Sequence, residues 1–287
     1  MAAAPQGKVA KHWLPYGPMG SHYTTLETFR QIIERSELWL THTSSLSDLT
    51  EGRSAGRLVA ARFESVARHE NFRAAAWPLF DRADRIRALE AHYYLVCFCR
   101  DSDLLSQWRA YAGDGTGISM SIDMEVVATA LDLPVRVGAC HYVELPEYEV
   151  VQSAAFVELD DLFRSHGLGW ALDSDPNHPS FLPHVDDAID LIAQFLKSGG
   201  VFLKDASFSE EHEARIAVLE TDARAAGVKA HQRATSAGPV PYIKVDLSKV
   251  GGWLGEVTLG PACVDDRATV ERFLLKLGHN VQVRPSK

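Results

Sequence analysis

The 287 residues suit one large domain or two of ordinary size, and 46% hydrophobic with 23% charged residues, 20 Gly and 13 Pro exclude a disordered, collagenous or mini-protein chain. With 29 Lys and Arg against 38 Asp and Glu the formal charge is -9, so no overall field gathers polyanions, and a nucleic-acid partner would need a local basic patch. The opening MAAAPQGKVAKHW lacks an apolar h-region, no apolar run reaches the ~18 residues of a membrane span, and Cys97, Cys99, Cys140 and Cys263 form no paired CxxC modules. The expectation is a cytoplasmic protein, away from membranes, with structural thiols.

In chain order, Ser21, His22 and Tyr23 open an ordered segment, and Leu26, Phe29, Ile32 and Ile33 recur at the spacing of one helix face. Leu38 to Thr41 is a short apolar and β-branched run that predicts a strand leading into the polar loop SSLSDLTEG. The Ala, Arg and Glu content of 53–90 predicts a helical insertion interrupted at Pro78. The unbroken run YYLVCFC, Tyr93 to Cys99, has the length of a strand buried on both faces and belongs at the centre of a sheet. An Asp or Ser cap followed by Leu104, Leu105, Trp108 and Tyr111 predicts a short helix, stopped by the glycines of GDGTG before another strand.

Val135 to Val143 reads as a further strand, and 154–200 as a second helical insertion carrying the polar loop DSDPNHPSFLPH. Strands return at Ala214 to Leu219, Pro241 to Leu247 and Leu254 to Leu259, with the Ala, Gly, Ser and Thr of 221–240 expected as a mobile loop. A helix from Asp265 to Leu277, capped by Asp265 or Asp266 and stopped at Gly278, precedes the closing strand VQVRP. Strands at both ends around helical inserts, without regular alternation, predict an α+β fold in a single domain, 1–287.

The segment SFSEEHEARIAVLE carries the most chemistry. As a strand it puts Glu211, Glu213 and Arg215 on one face, and His212, Ala214, Ile216 and Val218 on the other, buried, face. Two neighbouring carboxylates raise at least one pKa and an adjacent guanidinium partly offsets this, which separates a base from a charge-stabilising carboxylate. The plainer alternative is a solvated charged face with Arg215 paired to Glu213. Near the start, His22, Tyr23 and Thr24 offer a directional hydrogen bond and a flat ring, suited to a ribose and an aromatic base, or make an ordinary strand. Trp108 and Tyr111 form either a core stripe or a pocket lining beside GDGTG, a loop without the P-loop lysine or the dinucleotide order and so read as a turn. His166, His178 and His184 with Asp173, Asp175, Asp186 and Asp187 are metal-ligand types at the spacing of no known module, and no metal is expected. There is no GxSxG elbow and no cysteine with an evident base beside it.

Taken together, His22-Tyr23-Thr24, LWLTHTSSLSDLTEG, CFCRDSDLLSQWRAYAGDGTGISM, Lys204 with the Phe208, Glu211, Glu213, Arg215 series, and VTLGP before the terminal helix resemble a widespread bacterial family catalogued as domain of unknown function twenty-nine seventy-one. The resemblance covers most of the chain. One departure is that Ser47-Asp48-Leu49 precedes Glu51 where that family usually has Asn-Asp-Pro. More distantly, the pattern is similar to the ADP-ribosyltransferase superfamily, including its DNA-modifying toxin branch.

That similarity implies a split, strongly bent β-sheet core with helical insertions, and NAD as substrate. It implies His22 at the ribose-binding position, Glu213 as the catalytic glutamate with Glu211 two residues earlier, and Tyr23, Trp108 and Tyr111 as candidate ring contacts beside Thr24. The acceptor would be a protein, a nucleic acid or water, in a toxin or defence setting. The rival expectations are a non-catalytic nucleotide- or protein-binding regulator, and a metal-dependent nuclease or phosphoesterase built on the 166–187 cluster.

Overall fold

The computed structural model describes residues 10–11, 17–46, 91–143, 199–235 and 238–287, with the single positions 193 and 197. The chain divides into two compact units, one of Met1–Ser45, Tyr93–Ala139 and Glu210–Lys287, the other of Leu46–His92 and Cys140–Ser209. The segments expected as helical insertions belong to the second unit and lie almost wholly outside the described residues. So do the 166–187 cluster and the Ser47 to Glu51 loop.

The strands are β1 (Ala10–Lys11), β2 (Met19–Thr24), β3 (Glu37–His42), β4 (Tyr93–Cys99), β5 (Ile118–Asp123), β6 (Arg136–Ala139), β7 (His141–Val143) and β8 (Leu203–Asp205). They continue with β9 (Glu213–Leu219), β10 (His231–Thr235), β11 (Gly238–Asp246), β12 (Leu254–Leu259) and β13 (Gln282–Pro285). The α-helices are α1 (Leu26–Arg35), α2 (Leu105–Tyr111), α3 (Met124–Thr129), α4 (Glu220–Ala225) and α5 (Arg267–Lys276). Among the described residues, β7 and β8 form a parallel pair in the second unit. The remaining strands make one sheet of the first unit, antiparallel except at β1 with β6 and β12 with β13. The α+β class expected from the sequence holds.

The sheet forks at β4. One edge of this strand pairs along its whole length with β9, from Tyr93 opposite Leu219 to Cys99 opposite Glu213. The other edge is shared. Cys99 pairs with Ser21 of β2, while Tyr94 and Leu95 pair with His42 and Thr41 of β3. One branch continues as β2-β5-β12-β13 and the other as β3-β11-β10. The run YYLVCFC is therefore central, as its uniform apolarity requires.

One sheet face carries the main core, in which Phe29 and Ile33 of α1, Val127 of α3 and Leu274 of α5 pack with Phe98, Met120, Ile216 and Val257. The helices start where short polar side chains cap them: Thr25 accepts from Thr28 N, Asp123 from Val126 N and Asp266 from Thr269 N. Of the two caps expected for the last helix, Asp266 takes the position; Asp265 instead pairs with Arg30. Ser36 closes α1 in the left-handed conformation, φ 49°.

Two local expectations are revised. Residues 221–240 hold α4 and the β10–β11 hairpin, whose strands pair from His231 opposite Tyr242 to Thr235 opposite Gly238. Small and polar residues suggested a loop, but β10 is an edge strand whose side chains are mostly exposed, so it needs little apolar content. The stretch 135–143 is two strands, broken at Cys140, that belong to different units. The GDGTG loop is a packing device. Its Gly117 N donates to Ala112 O at 2.9 Å and Gly115 N to Trp108 O at 3.2 Å, so these donors are already committed and form no phosphate cradle.

The same loop crosses the VTLGP segment, with Gly260 N donating to Gly117 O at 3.0 Å and Ala262 N to Gly115 O at 2.9 Å. A Cβ on Gly260 would stand 2.1 Å from Gly115 O, whereas one on Gly251 would meet nothing within 4 Å. Gly260→Ala is expected to cost about 3 kcal/mol, and Gly251→Ala to stay within about 0.5 kcal/mol of the parent, as read from urea unfolding midpoints.

Candidate functional site

All seven residues of β9 are buried. Glu213 is 5% exposed and Arg215 2%, and they form a two-point pair in which Arg215 Nε donates to Glu213 Oε1 at 2.7 Å and Nη2 to Oε2 at 3.1 Å. The pairing matches the sequence expectation, but the solvated face does not. Strand β9 lies between β4 and β6, and a charge kept in such a place is retained by a partner and by further hydrogen bonds.

Register decides which candidates meet. Directly opposed residues point to the same face, so Ser21, Cys99 and Glu213 form one row across β2, β4 and β9. Tyr23, two residues from Ser21, shares that face, in a second row with Ser119 of β5, Thr258 of β12 and Arg284 of β13. His22 points the other way, in the row of Met120, Val257 and Val283, with its ring edge-on to Phe98 at 5.9 Å. Thr24 is on the His22 side. The expected convergence of His22 with Glu213 is thus corrected: a one-residue offset along β2 puts Ser21 and Tyr23 on the Glu213 face and sends His22 to the core face.

His22 has a different task. Its Nδ1 lies 3.1 Å from Cys97 O, on the edge of β4 between the two branches, where it satisfies a carbonyl at the fork. Burial lowers the His22 pKa below its ordinary 6.5, and the bond to the Cys97 carbonyl opposes this only in part. The neutral ring donates from Nδ1 and keeps Nε2 as its acceptor nitrogen.

The aromatic candidates separate as well. Tyr23 and Trp108 pack edge-to-face at 4.8 Å in a small second core with Cys99 and Ala112. The Tyr23 hydroxyl donates to Asp101 O at 2.8 Å and accepts from Leu104 N at 2.9 Å, and Trp108 Nε1 donates to Asp103 Oδ1 at 2.8 Å. Burial raises the Tyr23 phenol well above its usual range and pushes the Cys99 thiol up to about 12, so neither ionises near neutrality. Tyr111, expected on one stripe with Trp108, is 48% exposed while Trp108 is 2%. A helix of seven residues buries one narrow stripe, and Trp108 occupies it.

The loop after β4 is tied to the chain end. Asp103 accepts from Trp108 Nε1, from Ser286 Oγ at 2.6 Å and from Lys287 N at 2.8 Å. Partial burial works to raise its carboxyl, but these donors prevail and hold it below the usual range. Asp103 was expected only as one possible helix cap, and α2 in fact starts without a side-chain cap.

Beside Glu213 the sequence expectation of one continuous strand also fails. Glu211 ends a 3-10 turn, Ala206–Glu211, and His212 adopts the left-handed conformation, φ 42°, so period-two alternation stops before Glu213. His212 is exposed and not buried, and its Nδ1 is 2.7 Å from Asp101 Oδ2, with Arg100 Nη2 3.4 Å from the same carboxylate oxygen. Partial burial tends to raise Asp101, yet the bonds from His212 and Arg100 outweigh it and keep the carboxyl below its ordinary value. No sequence signal joins Asp101 to His212, because they are 111 positions apart.

In the second unit, Lys204 is buried with its Nζ 4.9 Å from the centre of the Phe208 ring. Among the described residues no group of three His, Cys, Asp or Glu is placed to hold a metal, and no helix is long and apolar enough to cross a membrane. No disulfide joins the four cysteines. Comparison of the chain with protein families, with characterised proteins and with solved structures finds no match.

Two measurements check this geometry. Glu213→Gln removes the negative charge from a buried two-point pair and is expected to cost about 3–5 kcal/mol, whereas Glu213→Leu combined with Arg215→Met is expected to recover most of the loss in denaturant titrations. Because the folded pKa of His22 is depressed, the unfolded chain binds the proton more readily. Its contribution to stability is full above 6.5 and is lost as pH falls below that value towards the folded pKa. His22→Asn, which retains a donor for Cys97 O, is expected to flatten the fall in melting temperature below pH 6.5.

Proposed function

We propose that the chain is an ADP-ribosyltransferase-like enzyme that cleaves the nicotinamide–ribose bond of NAD and passes the ADP-ribosyl group to an acceptor or to water. The observation that carries this reading is the row Ser21, Cys99, Glu213 at the fork of the sheet. That row puts a hydroxyl and a carboxylate on one face of the sheet, the two kinds of group to which a ribose can hydrogen-bond. Loss of nicotinamide develops positive charge on the sugar, which a fixed carboxylate stabilises more strongly than it does the neutral-sugar ground state.

In this reading Glu213 is the charge-stabilising carboxylate, with Arg215 keeping it ionised and oriented. Glu211, on the turn just before, orients the acceptor. The ribose-facing role moves from His22 to Ser21, because Ser21 shares the Glu213 face. Tyr23 and Trp108 support the fork from within, and Tyr111 is the exposed one of the three aromatic candidates. The cytoplasmic setting, in which thiols remain reduced, and the kinship with domain of unknown function twenty-nine seventy-one belong to the same reading.

A second reading is favoured by the closed Glu213–Arg215 pair, whose carboxylate oxygens both accept from the guanidinium. A regulator that binds a nucleotide without turning it over would use the pair as a fixed wall.

Purified protein incubated with NAD is expected to release nicotinamide, followed by chromatography. The stable Glu213→Leu, Arg215→Met variant is expected to lose at least about 100-fold of that rate. No release and no NAD binding by the parent protein would reject the proposal. NAD binding by the parent protein that weakens in the double variant, with no turnover in either protein, would select the regulator.

A further inference from the structure

At the exposed end of the β4 and β9 pair, Asp101 Oδ2 stands 2.7 Å from His212 Nδ1, and the two side chains are 41% and 40% exposed. An ionised carboxylate has no proton to give, so Nδ1 carries the hydrogen and Nε2 is left as the basic nitrogen. Nε2 has no hydrogen-bond partner among the described residues. A histidine held through Nδ1 by a carboxylate, with Nε2 uncommitted, is the arrangement of a general base and its orienter.

Two further features distinguish this pair from a simple tie between strand ends. The tie already exists in the main chain, where Arg100 N donates to His212 O at 2.9 Å. The backbone of His212 is also strained, at φ 42°, a region where Asn, Asp and His are tolerated but still disfavoured relative to glycine. Strain of this kind persists where the surroundings impose it, and it clusters at working sites. Here it turns the imidazole out of the strand beside Glu213, its chain neighbour.

We propose that His212, oriented by Asp101, is the general base that takes the acceptor's proton during ADP-ribosyl transfer, an inference that rests on the NAD reading above. The step balances without a further reagent. The C1′–N bond of NAD breaks and its electron pair leaves with nicotinamide. The acceptor oxygen, a hydroxyl or water, forms the new C1′–O bond, and its proton passes to His212 Nε2. The imidazolium is stabilised by Asp101 and then returns the proton to solvent. The charged groups at the ring are Asp101 and Arg100, just after β4, with Arg100 Nη2 3.3 Å from Nδ1, and Glu211 and Glu213 flank His212 in the chain.

The test uses the full chain with water as acceptor. His212→Gly relieves the left-handed strain, so it is expected to fold with a melting temperature at or above that of the parent. Its nicotinamide release is expected to fall about 100-fold or more, and added imidazole to restore at least a tenth of the parent rate, in step with the free-base fraction of the imidazole. Asp101→Asn, in which the orienter loses its charge, is expected to fall about 10-fold. Undiminished turnover in His212→Gly, or a loss that imidazole does not lift, would overturn the assignment while leaving the NAD reading in place. Absence of turnover in the parent protein marks failure of the NAD reading itself and removes this inference with it.

Discussion

A strand has two edges, and β4 gives one of its edges to two partners. Ser21 takes the last residue of that edge and β3 takes the residues near its start, so the peptide groups between them need another source of hydrogen bonds. At Cys97 that source is His22. The fork therefore depends on a side chain reaching across from β2 to do what a neighbouring strand would otherwise do. Everything proposed for the chemistry sits around it.

From this constraint the division of the sheet into two faces follows. On one face, α1, α3 and α5 cover an apolar core that includes the His22 row. On the other, Ser21, Cys99 and Glu213 stand in line, and the small core of Tyr23, Cys99, Trp108 and Ala112 holds the loop that carries Asp101 and Asp103. Polar side chains on that face meet in pairs and rows, among them the buried Arg215 with Glu213, and the half-buried Arg284 with Thr258 and Glu256. Such a surface makes a poor hydrophobic seam and a good setting for fixed charges, since a carboxylate already dehydrated and oriented loses little when a ligand replaces the remaining water.

The end of the β4 and β9 pair differs in kind from the row below it. Glu213 and Arg215 are closed off, whereas Arg100, Asp101 and His212 are open to solvent. A reaction that passes a sugar from a buried leaving group to an acceptor arriving from outside needs both environments in succession. The strained residue between them, His212, is where one gives way to the other.

Much of the scaffold was legible in the chain itself. Uniform apolarity marked β4 as central, the spacing of Leu26, Phe29, Ile32 and Ile33 marked α1, and the acidic cap and terminal glycine marked α5, because these signals come from burial and capping within a few residues. The Glu213–Arg215 pair was visible for the same reason, being two residues apart on one strand. What the sequence alone did not decide was side and depth. Whether His22 or Ser21 faces Glu213 depends on pairing register across β4, and one position of offset reverses it. Whether a charged face is solvated or sealed depends on which strands flank β9. The meeting of Asp101 with His212, and of Asp103 with the chain end, spans distances over which no local pattern acts, so only tertiary packing brings those groups within hydrogen-bonding reach.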